Sequence, residues 1–346
     1  MDFKKYNNLI ELFFGQCARL PKEKIFLNSL KDPKSTFSWD EVKTFTLHLS
    51  NEISKVIQKG DRCLLISENR PEWMISDLSI MLAEGITVPA YTTYVSRDYE
   101  YIINDCSPSI VIVSNDEQFN KIKNICQKNT SIKKIFSFEK LSEIENNTYF
   151  NIGNLIQNKN IDLDIKLECK AQRSDPACII YTSGTQGNPK GVILTHGGIL
   201  SNCEGGYKLL DPILEKETRF LTWLPLSHSY EHAVQFIQIA VGAKVFYAES
   251  IDKLIKNMSE CSPHIMTAVP RFYQNLFQKI NSTFNKAKGF KKILVNNTVK
   301  LGAMKLRKEK MSILEKFTNF IVEKLVRTKI KKQFKGPNNW YTAFTN

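Results

Sequence analysis

Residues 181–192, Tyr-Thr-Ser-Gly-Thr-Gln-Gly-Asn-Pro-Lys-Gly-Val, combine the groups that a polyphosphate needs around it. Hydroxyls stand at Thr182, Ser183 and Thr185, an amide at Gln186, glycines at Gly184, Gly187 and Gly191, and one cation at Lys190. Glycines let backbone N–H groups close on an anion, and short hydroxyls donate to its oxygens. The lysine ammonium neutralises charge as a mobile point. This is not the Walker A pattern. Pro189 interrupts it, Lys190 is followed by Gly191 rather than Ser or Thr, and Val192-Ile-Leu-Thr195 reads as strand where a Walker A loop enters a helix.

Such a loop needs a rigid support. Ala177-Cys-Ile-Ile-Tyr181 reads as a buried strand leading into it. Upstream, Ser38 with Glu41 three residues later forms a capping box. Val42, Phe45, Leu49, Ile53, Val56 and Ile57 follow at helical spacing, and Gly60 marks the stop. Cys63–Ser67 is a buried strand, Pro71 opens a helix that Gly85 ends, and Ile86–Pro89 is strand again. Further strands are expected at Ile110–Ser114, Lys134–Phe138, Phe220–Leu224, Ala243–Tyr247 and His264–Val269, most of them separated by helical segments. This alternation predicts an α/β fold: two α/β subdomains with mainly parallel sheets flanked by helices. The expected division is 1–172, 173–289 with the phosphate-binding loop, and a basic helical segment with an atypical tail at 290–346. The polar stretch Gln157–Asp175 reads as the link between the first two.

Charge is unevenly placed. The net +13 of the 346 residues lies entirely within Lys286–Lys335, where sixteen Lys or Arg face three Glu. Ile293, Leu294, Val299, Leu301, Met304, Ile313, Leu314, Phe317, Ile321, Leu325 and Ile330 are interleaved there, which predicts amphipathic helices with a charged outer face. That face suits an anionic membrane surface or the phosphates of a ligand, and equally a solvated lysine-rich helix. Nucleic acid is not expected, since no recognition motif accompanies the charge. Eight scattered cysteines without a CxxC pair predict reduced thiols and no zinc site or disulfide framework. No apolar run approaches the ~18 residues of a spanning helix. The expected setting is cytoplasmic, with peripheral contact to a membrane.

The loop from Thr182 to Gly191 closely resembles the phosphate-binding signature of the AMP-forming adenylating enzymes, which include acyl-CoA synthetases, luciferases and peptide-synthetase adenylation domains. The one departure is Gln186, where that family more often has Thr or Ser. Four other segments resemble the family in the same order: Ser67-Glu-Asn-Arg-Pro-Glu-Trp73, Gly85-Ile-Thr-Val-Pro-Ala-Tyr-Thr92, Leu224-Pro-Leu-Ser-His-Ser-Tyr-Glu231 and Ala268-Val-Pro-Arg-Phe-Tyr273. The combination is most similar to long-chain fatty-acid–CoA ligases. It implies ATP-dependent activation of a fatty acid to acyl-AMP and transfer to CoA, with ATP, Mg²⁺ and coenzyme A as the small-molecule partners.

The resemblance also implies roles. Thr182, Ser183, Gly184, Thr185, Gln186, Gly187 and Lys190 would grip the ATP phosphates, with Thr182 helping to hold Mg²⁺. His228 would line the acyl or carboxylate side of the site, or else serve as a helix-capping or core histidine. It need not be a general base, because a carboxylate is already ionised at neutral pH. Glu231 and His232 read as the exposed first turn of the following helix. Arg271 reads as structural, and Trp73 and Trp223 as packing residues.

Several parts of the family's machinery do not occur in these residues: a Tyr-Gly-x-Thr-Glu motif, a ribose-binding Asp, a hinge and a lid lysine. The tail Gly336–Asn346 resembles neither the family nor an organised element, and the sheet is expected to expose an edge there. Two function classes follow. One is a ligase by family whose 346-residue chain lacks turnover by itself. The other is a non-catalytic remnant that binds nucleotide, a partner or an anionic membrane surface.

Overall fold

The computed structural model describes residues 1–142, 149–157, 165, 167–182, 189–286, 288–328 and 341–344. The elements run α1 (Leu9–Arg19), β1 (Ile25–Ser29), β2 (Thr36–Ser38), α2 (Trp39–Ser54), β3 (Arg62–Ile66), α3 (Pro71–Leu82), β4 (Ile86–Ala90), α4 (Ser96–Cys106), β5 (Ile110–Val113), α5 (Asp116–Lys128), β6 (Lys134–Ser137), β7 (Tyr149–Asn151), α6 (Ile152–Gln157) and β8 (Pro176–Thr182). They continue as β9 (Lys190–Thr195), α7 (His196–Leu210), β10 (Arg219–Thr222), α8 (Ser229–Val241), β11 (Lys244–Tyr247), α9 (Leu254–Cys261), β12 (Ile265–Ala268), α10 (Pro270–Asn285), α11 (Phe290–Leu306), α12 (Ile313–Val322) and β13 (Tyr341–Phe344). The chain divides into two compact units, Met1–Ala248 and Glu249–Asn346.

Unit Met1–Ala248 holds a seven-stranded sheet in the order β7-β6-β5-β3-β4-β8-β9. Its pairings are parallel except for the β8–β9 hairpin. In the same unit β10, β11 and β1 run parallel side by side, and β2 closes antiparallel on β1. The fold is therefore α/β with mostly parallel sheets flanked by helices. Strands from both sides of residue 172 share each sheet, so the sheets do not divide at the boundary expected from the sequence. The cause is long-range pairing: Leu27 lies beside Val245, and Thr87 beside Cys178.

Local signals become structure at the expected places. The Ser38 hydroxyl accepts from the Glu41 N–H at 3.2 Å, and the Glu41 carboxylate accepts from the Ser38 N–H at 2.8 Å, which completes the capping box of α2. Pro71 occupies the first turn of α3, where its missing N–H costs nothing. All twelve residues of α3 are buried, polar Ser76, Asp77 and Ser79 among them. Trp39 stacks on Phe26 with ring centroids 3.8 Å apart and anchors α2 on β1. All eight cysteines are free thiols, and burial pushes Cys106 and Cys169 up to about 11.

The stretch expected as a polar link is, over 167–175, stitched to the N-terminus. The Asn8 amide donates to the Ala171 carbonyl at 2.9 Å, and the Arg173 guanidinium donates to the Tyr6 carbonyl at 2.8 Å. Residues 158–164 and 166 of that stretch lie outside the described residues.

In unit Glu249–Asn346, β12 pairs in parallel with β13, Ile265 beside Tyr341 and Ala268 beside Phe344. This corrects the expectation of an unorganised tail over 341–344, while β13 itself now forms the edge of its sheet. Tyr, Thr and Phe favour an extended chain, and β12 offers them a ladder. The basic helices form as α11 and α12, but their apolar side chains are not confined to an inner face. Ile293, Val299, Ile313, Leu314, Phe317 and Phe320 are exposed. Among the described residues no helix is long and apolar enough to cross a membrane.

Candidate functional site

The phosphate-loop pattern sits at the turn of the β8–β9 hairpin. In the antiparallel register Tyr181 faces Gly191 and Thr182 faces Lys190. The hydroxyl and the cation thus stand opposite each other where the loop leaves the sheet, and both are exposed. Ser183, Gly184, Thr185, Gln186 and Gly187 lie outside the described residues. Because β8 runs parallel to β4, the loop emerges at the carboxyl ends of the parallel strands, where α/β sheets place their ligands.

The hairpin is braced from below. The Tyr181 hydroxyl donates to the Asp105 carboxylate at the end of α4, and burial together with that carboxylate pushes the phenol upward. Gly191 is required by close approach rather than by backbone angle. A Cβ there would lie 2.9 Å from Ile179 Cγ2 and 3.2 Å from the Tyr181 ring. The aromatic ring fills the place of a side chain at 191 and leaves the backbone beside Lys190 without bulk.

Two of the sequence motifs meet. The side-chain amide of Asn69, in the Asn-Arg-Pro-Glu-Trp segment, donates to the Leu224 carbonyl at 2.6 Å and accepts from the Leu226 N–H at 3.0 Å. One side chain thereby clamps the backbone of Leu224-Pro-Leu, 155 residues away. Beside it, Arg70 donates to Glu72 at 2.9 Å and to Glu139 at 3.0 Å, which fixes the start of α3.

His228 follows that clamped segment and is the N-cap of α8. Its Nδ1 accepts from the Tyr230 N–H at 3.3 Å, and the residue is exposed. The next turn departs from expectation: Glu231 and His232 are buried to 1% exposure, not an exposed first turn. His232 Nε2 lies 2.8 Å from Asp77 Oδ2, and the Gln235 amide donates to the same oxygen at 3.1 Å. The Trp73 ring meets His232 edge-on at 5.5 Å. Burial alone would push this imidazole down, but the Asp77 carboxylate, with a smaller contribution from Cys178, holds it up at about 10. An ion pair therefore ties α8 to α3 beneath the clamped segment.

Sequence reasoning missed Asp77, His232 and Gln235. A signal was present, since His232, Gln235, Phe236 and Ile239 share one helical face and a polar pair on an otherwise apolar face needs a buried partner.

Among the described residues no cluster of three His, Cys, Asp or Glu side chains could hold a metal by itself. A Mg²⁺ bound mainly by substrate phosphates, with a hydroxyl such as that of Thr182 beside it, still fits the hairpin, because this ion keeps few protein ligands.

The sequence profile of the AMP-binding enzyme family matches residues 13–325. Fatty acyl-CoA synthetase A of Dictyostelium discoideum is 29% identical over 280 aligned positions, which cover 76% of this chain and 40% of that protein. Long-chain-fatty-acid–CoA ligase 5 of Rattus norvegicus is 26% identical, covering 96% of this chain and 52% of that protein. The chain spans about half the length of the curated relatives it matches. The anthranilate CoA ligase AuaEII, solved with anthranoyl-AMP, superposes with a TM-score of 0.68 at 20% identity over 79% of this chain and 52% of its own. At that identity the likeness is one of fold. A family profile over most of the residues, relatives that are long-chain acyl-CoA synthetases and a fold shared with adenylate-forming CoA ligases agree with the hydroxyl-glycine-lysine hairpin: this chain belongs to the AMP-binding enzyme family.

Proposed function

We propose that the chain carries the phosphate-gripping part of a long-chain fatty-acid–CoA ligase, which activates a fatty acid with ATP to acyl-AMP and passes the acyl group to CoA. The observation that carries this reading is Thr182 facing Lys190 at the mouth of the hairpin loop, at the carboxyl ends of the parallel strands. In this reading Lys190 neutralises the phosphates as a point charge. Thr182, Ser183 and Thr185 donate hydroxyls, Gln186 its amide, and Gly184 and Gly187 leave backbone N–H groups free to close on the anion. Mg²⁺, when bound beside Thr182, would screen the phosphate charge. His228, exposed at the start of α8, faces the acyl or carboxylate side.

The motifs that supply the acidic metal ligand, the ribose carboxylate and the lid lysine in this family do not occur in the 346 residues. Losing even one preorganised donor typically costs ~10²–10³ in rate. The chain by itself is therefore expected to bind nucleotide weakly and not to turn over. The reading includes peripheral contact of the basic Lys286–Lys335 segment with an anionic membrane, as suits a protein supplied with fatty acids.

The test is ATP·Mg²⁺ binding by the 346-residue chain, measured calorimetrically beside Lys190→Ala. Removing the exposed cation should weaken binding by about 10-fold, the worth of one charge-assisted contact. Equal affinity in both proteins, at an unchanged melting temperature, rejects the phosphate assignment. Robust pyrophosphate release and acyl-CoA formation by the chain alone would reject the expected lack of turnover.

A further inference from the structure

The turn between α11 and α12 presents three aliphatic side chains to solvent. Leu306 is 87% exposed, Ile313 88% and Leu314 76%. Phe317 and Phe320 continue the Ile313 face along α12 at helical spacing and are exposed too. This tip is a built turn. Lys308 takes a positive φ of 57°, the Lys308 N–H donates to the Lys305 carbonyl at 3.2 Å, and the Glu309 N–H donates to the Met304 carbonyl at 3.0 Å. Ser312 and Glu315 then form a capping box that starts α12.

Cations surround the aliphatic side chains. Lys305, Arg307, Lys308, Lys310 and Lys316 are all exposed. The acids nearby are engaged: Glu309 lies 3.7 Å from Arg307, and the Glu315 carboxylate accepts from the Ser312 N–H and hydroxyl at 3.0 Å and lies 3.4 Å from Lys300. Among the described residues Lys305, Lys308, Lys310 and Lys316 make no ion pair, so the charge of the tip is uncompensated. Apolar side chains this exposed in a folded turn call for a covering surface. The cation ring requires that surface to be anionic.

We propose that this tip inserts Leu306, Ile313 and Leu314 into the acyl-chain boundary of an anionic lipid bilayer, with the lysines and Arg307 on the headgroups. Long basic side chains can lie along the apolar surface and keep their heads in the polar layer. A protein partner would need a pocket for each protruding aliphatic group, whereas a bilayer accepts them without shape complementarity. The proposal deepens the membrane contact proposed above and rests on it, because it adds insertion to electrostatic attraction.

The experiment is co-sedimentation of the full 346-residue chain with phosphatidylcholine vesicles, with and without phosphatidylserine, at low and high salt. The chain should bind the anionic vesicles. The triple variant Leu306→Ser, Ile313→Ser, Leu314→Ser should bind them ~10-fold or more weakly, since it loses the apolar part of the attachment. Circular dichroism and the melting temperature should be unchanged, because these side chains are exposed. Leu314→Trp should gain fluorescence quenched by lipids brominated on their acyl chains, relative to the parent chain. Charge-dependent, salt-released binding that the serine variant retains in full, without quenching of Leu314→Trp, overturns insertion and leaves the electrostatic contact standing. No binding by the parent chain, or equal binding to neutral vesicles, overturns both. A serine variant that loses self-association in sedimentation equilibrium while binding vesicles normally assigns the tip to a second copy of the chain and overturns the proposal.

Discussion

Asp77 in α3 and His232 in α8 lie 155 residues apart in the chain and 2.8 Å apart in the fold, and both are fully buried. Polar groups buried this deeply persist only when paired. The pair fastens α8 beneath the segment whose backbone Asn69 clamps and whose next residues present His228. It is a structural bond between α3 and α8.

Breaking that bond should be costly. Asp77→Asn leaves the imidazole without its carboxylate, and removing one partner of a buried pair typically destabilises by about 3–5 kcal/mol. The folded protein holds the His232 proton up to about pH 10, whereas the unfolded chain releases it near the ordinary 6.5. The contribution of the pair is therefore complete below pH 6.5 and is lost as pH rises through about 10. Urea unfolding of both proteins across that window should show a declining limb that is flatter in Asp77→Asn. Parallel limbs would show that the pair does not govern alkaline stability.

His196 titrates in the opposite sense. It is 2% exposed at the start of α7, and its Nδ1 accepts from the Leu9 N–H at 3.4 Å. Burial pushes the imidazole down to about 4, only partly offset by Asp175 and Asp77. Between about pH 6.5 and 4 the unfolded state binds the proton and the folded state does not, so stability falls as pH drops through that range. The loss should approach about 3 kcal/mol, from ~1.4 kcal/mol per pKa unit. His196→Gln should show a shallower acid limb in the same unfolding experiment, and an unchanged limb would assign acid sensitivity to other groups.

Gly191→Ala tests the support of the β8–β9 hairpin. The added methyl meets Ile179 and the Tyr181 ring, and overpacking of this kind costs about 1–3 kcal/mol. A lowered melting temperature is expected, together with weaker ATP·Mg²⁺ binding as β9 shifts against β8. Replacing Tyr181 by Leu in the same variant removes the ring and should recover part of the stability. No loss in Gly191→Ala would show that the hairpin yields freely at this position.

Much of this architecture was legible in the amino-acid order because it depends on neighbours in the chain. The Ser38–Glu41 capping box, the Pro71 helix start and the strands at 62–66, 86–90, 110–113 and 265–268 come from periods and caps spanning a few residues. The hydroxyl, glycine and lysine pattern of residues 182–191 likewise carried the resemblance to the AMP-binding enzyme family in residue types alone.

Tertiary structure decided what depends on partners far away in the chain. Composition made Glu231 and His232 read as a solvated turn, yet packing of α8 on α3 buries them, since a carboxylate 155 residues earlier neutralises the imidazole. Asn69 has no local reason to bond Leu224 until the segments that follow β3 and β10, strands of different sheets, meet in the fold. The tail read as unstructured because a four-residue strand has too few contacts of its own; β12 supplies the missing hydrogen bonds. Periodicity and capping are properties of short segments and survive in sequence, whereas the pairing of buried charges and of strands is settled only when the folded chain brings together groups that nothing local connects.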